Sequence, residues 1–524
     1  MRAPLLMEFA SARLELNRLP ELAPSQTLDL PGAQAHLFGR PGWLVNYREL
    51  AYEGAEAALA ALPELLSAYL ADPAQGRHLL ARLSGAFLLL IARGGRLEQV
   101  ITSDELPNLV YWHRRQGQVV ITDHWRDFAL GRDLKNPAAY SLPNLRWFSA
   151  RKTCIPGQTW LEGLYRLRPA TIYRLEGDGL VEQAAVYPLP VPGQRLGNDE
   201  LYAVVGRRLG PGPFSLCYST GIDSHHLLSS LAPRVRDVCT IYYSAPFQDQ
   251  ERSREASAAL VNCLAAGKPY TPVAVDLTDP SQVPFTEHAV LTDPFAAHHS
   301  CSMYRLFAAA QSQQVVTGQN ADTMQFFALT SRMGPKELLF KSPASRQSPA
   351  GRLYYRWSAA RSFGRPPLGG MLERRMLLGL GDQMARLTGP HGYWPIFYFK
   401  RIHNMTTGNT ALFKNAARYW GKQVFFPYTE PLVFYVAAYY RRPLRLLLNP
   451  KGPLKARYHY LRHSQIELPF GQGRPFRESP LFAQAAQGLE RVQPQLKAFF
   501  ETQVREPMAL VVLYTFARLA LKGR

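Results

Sequence analysis

The chain has 524 residues, 47% of them hydrophobic and 11% aromatic, enough for roughly two or three domains with cores of their own. Its 38 glycines and 41 prolines exclude a collagen-like or wholly disordered polymer. Five scattered cysteines with no C-x-x-C pair exclude a disulfide framework and a zinc ribbon and fit a reducing cytoplasm, while a formal charge of +20 admits anionic partners without selecting one.

The segment Met1 to Glu8 has no apolar run adequate for a signal peptide. A helix is predicted around Ala55 to Leu70. The short apolar runs Phe87–Ile91, Gln99–Ile101 and Val119–Ile121, separated by turn residues, predict a mostly β layered domain. A proline-rich stretch, Tyr187 to Gln194, lacks apolar periodicity and marks a boundary, giving domains over 1–190 and 198–524. Beyond it, strand-like runs at Phe214–Tyr218, Val238–Tyr243 and Val315–Thr317 alternate with helical ones near His225 and from Arg254 to Leu264. That alternation predicts a parallel sheet with its ligands at the strand C-termini.

From about Arg332 the sequence reads as mainly helical and basic. Arginines and lysines crowd between Arg332 and Arg375, with Tyr354, Tyr355 and Trp357 among them. No nucleic-acid module accompanies this stripe, so nucleic acid is not an expected partner. Pro507 to Ala517 is apolar but too short to span a bilayer, and it predicts an amphipathic helix packed on the body.

The six residues Ser219-Thr220-Gly221-Ile222-Asp223-Ser224 lie between the strand ending at Tyr218 and the helix opening at His225. A strand, a tight Ser/Gly turn and a helix N-terminus make an anion cradle, because backbone N–H groups converge there and the helix dipole favours negative charge. The segment resembles the pyrophosphate loop S-G-G-[hydrophobic]-D-S of ATP pyrophosphatases, with Thr220 in place of a Gly.

Other motifs extend the resemblance along the chain to the asparagine synthetase superfamily. Leu83 to Phe87 is similar to its "L-x-G-x-F" strand, Ser103 to Pro107 falls at its "R-D-x-x-G" turn, and Thr159 to Ala170 follows "T-x-x-x-G-I-x-x-L-x-P-G". Thr317-Gly318-Gln319-Asn320-Ala321-Asp322 resembles "S-G-E-G-A-D", Phe426 to Glu430 resembles "V-P-F-L-D", and Lys455 to Tyr458 resembles "K-x-x-L-R". The resemblance implies a glutaminase-like layered α+β domain followed by a parallel-sheet α/β synthetase domain with a helical C-terminal part.

It also implies a chemistry. ATP adenylates a carboxylate, AMP and pyrophosphate leave, and an amine closes the amide. Tyr218, Ser219, Thr220, Gly221, Ile222, Asp223, Ser224, Thr317 and Gly318 would bind ATP, and Asp223 and Asp322 would hold Mg²⁺, a hard cation that takes oxygen ligands. Lys455 would stabilise the developing charge of acyl transfer, with Lys451 as the competing alignment. Gln319 would face the acceptor.

The departures narrow the reading. Glutamine-dependent members use an N-terminal cysteine nucleophile, whereas the first cysteine here is Cys154, so no thioester is expected. Asn320 replaces a Gly, and Phe425 stands where an Arg is common. These features resemble lasso peptide cyclases, which activate a peptide side-chain carboxylate for attack by the peptide's own N-terminal amine. Such an enzyme implies a precursor peptide and a leader protease as partners. The alternatives are a β-lactam synthetase-like or other small-molecule amide synthetase, an ammonia-dependent asparagine synthetase, and a catalytically silent nucleotide-binding homologue. Of the histidines beside the loop, His225 and His226 are expected on different helix faces, one packed and one solvated. His298 and His299 are expected to serve packing.

Overall fold

The computed structural model describes residues 5–16, 19–22, 25–107, 109–177, 179–189, 206, 208–209, 212–219, 221–243, 259–275, 281, 283–296, 300–319, 349–350, 353, 408–432, 477 and 479–522. The basic stripe from Arg332 to Arg375 (save Leu353, Pro349 and Ala350 lying within it), His298, His299 and the 451–458 segment lie outside the described residues. The protein is a mixed α/β molecule with several sheets, one of them parallel.

Two sheets are built from residues 5–185. The larger runs in the order Gly179–Ala185, Thr171–Glu176, Arg96–Thr102, Leu83–Arg93, Ala33–Asn46 and Ser25–Leu30, with Ala51–Glu53 paired to Ala33–Asn46. Leu83–Arg93 reads as a continuous apolar run rather than an alternating one because it is covered on both faces. Leu83, Phe87, Leu89 and Ile91 share a core with Leu62, Leu66 and Tyr69 of the helix Ala55–Ala71. Leu88, Leu90 and Ala92 share another with Leu14, Tyr111 and Ile121 of the second sheet. That sheet runs Leu5–Glu8, Ala12–Leu16, Gln118–Thr122, Tyr111–Arg115 and Leu164–Arg166. The result is a helix–sheet–sheet layering.

The third sheet is parallel throughout, in the order Tyr270–Val275, Val235–Tyr243, Phe214–Cys217, Gln314–Thr317 and Gln423–Phe425. Phe214–Cys217 is central and every residue of it is buried. Pro272 is tolerated because its strand is an edge. In chain order the strands read 3-2-1-4-5, so the order reverses between Phe214–Cys217 and Gln314–Thr317. A crevice opens at such a switch point, beyond the strand C-termini.

Two expectations change. The helix Pro507–Lys522 is not amphipathic over its first turns: Met508 to Tyr514 are all buried, as are Phe516 and Ala517. A helix apolar on every side belongs inside a protein. It packs into the same core as Trp125 and Trp160, and Phe516 meets the Trp160 ring edge-on at 4.5 Å. The boundary stretch also begins inside the protein. Tyr187 is fully buried, its carbonyl lies 2.9 Å from His78 Nδ1, and its ring packs against that imidazole.

Among the described residues no helix is long and apolar enough to cross a membrane.

Candidate functional site

The register of the parallel sheet builds the site. Cys217 pairs with Cys239 on one side and with Thr317 on the other, so the segments leaving Cys217 and Thr317 emerge side by side at the switch point. Tyr218 is held there by its neighbours. Its N–H donates to the Cys239 carbonyl at 2.9 Å, and its own carbonyl accepts from Thr240 Oγ1 at 2.8 Å.

Beyond Tyr218 the loop closes on itself. Ser219 is exposed, and its hydroxyl lies 3.0 Å from Ser224 Oγ and accepts from the Gly221 N–H at 3.3 Å. Gly221 then caps the helix Ile222–Ser230 in extended conformation, with no side-chain cap. A helix N-terminus whose first-turn amides are left to a hydroxyl-lined loop can receive an anion. Asp223 sits in that first turn.

Gly318 closes the other wall. A β-carbon there would lie 3.2 Å from Ser224 Oγ and 3.3 Å from Ser224 N, so the two loops touch through backbone. Gln319 follows, partly buried, its N–H donating to Thr317 Oγ1 at 3.3 Å. The third motif arrives from below: the Tyr428 hydroxyl donates to the Asp223 carbonyl at 2.9 Å. Three segments separated by about a hundred residues each in sequence thus meet around the start of the helix Ile222–Ser230.

Of the expected site residues, Ser219, Gly221, Asp223, Ser224, Thr317, Gly318 and Gln319 gather around this helix start, beyond the C-termini of Phe214–Cys217 and Gln314–Thr317. The side chains of Tyr218 and Ile222 are buried, which leaves backbone as what they can offer a ligand. Thr220, Asp322 and Lys455 lie outside the described residues. Among the described residues no three His, Cys, Asp or Glu side chains cluster as a metal site. Asp223 is the one expected metal ligand among the described residues, and Mg²⁺ binds through one or two carboxylates, leaving its other positions to phosphate and water.

The two histidines correct their expectation. Both are buried, His226 completely. The Tyr218 hydroxyl accepts from Asn262 Nδ2 at 3.0 Å and lies 3.1 Å from His225 Nδ1. Burial lowers the His225 pKa, which favours a neutral ring. The helix packs on the sheet, Leu227 and Leu228 sharing a core with Phe214 and Leu216.

Four of the five cysteines are poor nucleophiles. Cys154, Cys217, Cys239 and Cys263 are all buried with free thiols, and burial pushes the Cys154 thiol up to about 12 and Cys263 to about 11.

A cluster that the sequence did not reveal lies where the first half meets Phe426–Glu430. The Arg208 side chain, 5% exposed, pairs through Nη1 with Glu430 and through Nη2 with Glu105 at 3.0 Å. Its guanidinium lies over the Tyr52 ring at 5.0 Å and the Trp43 ring at 5.4 Å. Nothing in the local pattern marks Arg208, because its partners lie 103 and 222 residues away.

No protein-family model matches the chain, and no curated protein matches it.

Proposed function

We propose that this protein is an ATP- and Mg²⁺-dependent amide-forming ligase that adenylates a carboxylate and releases pyrophosphate and AMP. The observation that carries the reading is the meeting of the Ser219–Ser224 loop, Thr317–Gln319 and Tyr428 at the switch point of a parallel sheet. The three motifs that resemble one superfamily lie far apart in sequence, and their convergence is what a shared ligand requires.

In this reading the Ser219 and Ser224 hydroxyls and the first-turn amides hold the departing pyrophosphate. Asp223, with Asp322, holds the metal. Mg²⁺ supplies charge neutralisation on the phosphates when bound. Gly318 keeps the wall flat enough for phosphate to approach the loop. Gln319 faces the acceptor side, and Lys455 completes the electrostatic stabilisation of acyl transfer.

The amine comes from the substrate. Cys154, Cys217, Cys239 and Cys263 are buried, which favours an enzyme that does not make ammonia from glutamine. Within the amide ligases, closure of a peptide macrolactam is therefore the first reading, with the 1–190 half serving as a glutaminase-like packing partner. A precursor peptide delivered by a leader protease is the substrate class to try first, in the cytoplasm.

The test is product identity. Purified protein given Mg²⁺, ATP and candidate core peptides bearing a free N-terminal amine and a side-chain carboxylate is expected to yield AMP, pyrophosphate and a peptide lighter by one water. ADP and orthophosphate as primary products would overturn the mechanism. A small-molecule product with the same AMP release would keep the ligase and remove the peptide.

A further inference from the structure

We infer that Arg208 is a positioning residue, through which the first half of the chain sets the geometry of the nucleotide loop. The inference rests on reading Ser219–Ser224 as that loop, and it follows a continuous path of side chains.

The path begins in the turn after Arg96–Thr102. Ser84 Oγ lies 3.2 Å from Asp104 Oδ2 and 3.3 Å from Glu105 Oε1, so one hydroxyl is shared between the two carboxylates and ties the turn to Leu83–Arg93. The Gly85 N–H adds a weak bond to Asp104 Oδ1 at 3.4 Å. Glu105 is thereby aimed at Arg208.

The guanidinium is a planar fork, and its two ends serve opposite halves of the molecule. One nitrogen meets Glu105 and the other meets Glu430, so turning the fork to improve one bond weakens the other. Trp43 and Tyr52 fix its plane from the side. Tyr52 does more: its hydroxyl donates to Glu430 Oε2 at 3.2 Å and accepts from the Leu432 N–H at 3.2 Å. The short helical turn Pro427–Thr429 is therefore clamped at its far end by groups of the first half.

Tyr428 lies within that turn, and its hydroxyl reaches the Asp223 carbonyl at 2.9 Å. Asp223 stands in the first turn of the helix whose N-terminus faces the proposed pyrophosphate site. The first-turn amides are the groups that must point at the ligand, and the His225 N–H bonds back to the Gly221 carbonyl at 3.1 Å. A shift of the clamp moves Tyr428, and Tyr428 moves the helix start. Arg208 thus gives the first half a role that needs no catalysis of its own.

Hydrogen exchange on the full chain tests this. In Tyr428→Phe the ring stays and the link to Asp223 is lost, so amides 221–226 are expected to exchange about tenfold faster while those of Leu83–Arg93 do not change. Arg208→Lys keeps the charge but loses the fork, and is expected to produce the same local acceleration. The double variant is expected to exceed neither single one, because both break one path. Mg²⁺ with a non-hydrolysable ATP analogue should bind several-fold more weakly to each.

Unchanged exchange at 221–226 in either single variant overturns the inference, as does full additivity in the double. Acceleration spread over the whole molecule also overturns it, since that marks a merely structural role. If the unaltered protein binds no Mg²⁺-nucleotide yet the local, non-additive acceleration appears, the positioning path stands and the nucleotide reading fails.

Discussion

Gly318 leaves little room for a side chain. A β-carbon would sit 3.2, 3.3 and 3.4 Å from three atoms of Ser224, two of them backbone, and backbone at a helix start yields little. Gly318→Ala is therefore expected to push the Ser219–Ser224 loop out of place and weaken Mg²⁺-ATP binding by about 1 kcal/mol, or roughly fivefold, within the range for overpacking. The melting temperature should hardly move, because the crowding falls on a loop edge. Nucleotide titration beside a thermal melt checks both halves of the statement. Lys455→Ala is expected to leave pyrophosphate exchange intact and lower amide formation about 10²- to 10³-fold, the cost of one electrostatic contact at an acyl-transfer site. Normal amide yield in that variant would move the role to Lys451. The loop residues were legible in the sequence because turn chemistry and helix starts are local. Arg208 was not, being one of 60 basic residues with partners more than a hundred positions away; the Phe426–Glu430 motif was legible, but the bond from Tyr428 to Asp223 was not.

At the scale of elements, the helix Val283–Thr292 shows how packing converts into pH dependence. His288 Nδ1 lies 2.7 Å from the Tyr304 hydroxyl, and the Tyr419 ring stands edge-on to the imidazole at 4.6 Å. Burial, with Arg418 adding to it, lowers the His288 pKa below its ordinary 6.5. The unfolded chain then takes the proton first as pH falls. Stability is complete above pH 6.5 and declines progressively below it, levelling once the folded form is protonated too. His36 and His113, lowered mainly by burial, add to the same slope. Melting temperature is expected to drop between pH 7 and pH 5, and His288→Gln should make that drop shallower; an unchanged slope would clear His288 of the role. The strands of the parallel sheet at Phe214, Val238 and Val315 are legible in the sequence because buried strands are plain apolar runs. Tyr270–Val275 is not, because Pro272 masks an edge strand, nor is Gln423–Phe425, which is only three residues long. The apolar stretch Pro507 to Ala517 predicts an amphipathic helix, since periodicity alone cannot distinguish a helix covered on one side from one covered on all.

At the scale of the whole molecule, the two halves are joined through buried charge as well as apolar packing. Asp293, from the loop after Val283–Thr292, pairs with Arg166 of Leu164–Arg166, and both side chains are under 10% exposed. The guanidinium lies over the Phe295 ring at 4.9 Å, the Phe295 N–H donates to Asp293 Oδ1 at 3.0 Å, and Trp160 Nε1 donates to the Pro294 carbonyl at 3.3 Å. A buried pair of this kind contributes little net stability over an apolar replacement, but losing one partner strands a charge and costs about 3–5 kcal/mol. Asp293→Ala is therefore expected to lower the urea midpoint sharply. Arg166→Met combined with Asp293→Leu should recover most of the loss, since neither charge is then left alone. If the halves depend on each other as this packing implies, with Phe516 and the last helix filling the core around Trp125 and Trp160, fluorescence and circular dichroism will report one shared transition in the unaltered protein. Two separate transitions, with Asp293→Ala moving only one of them, would mean that the first half folds on its own and that the interface is a later docking step.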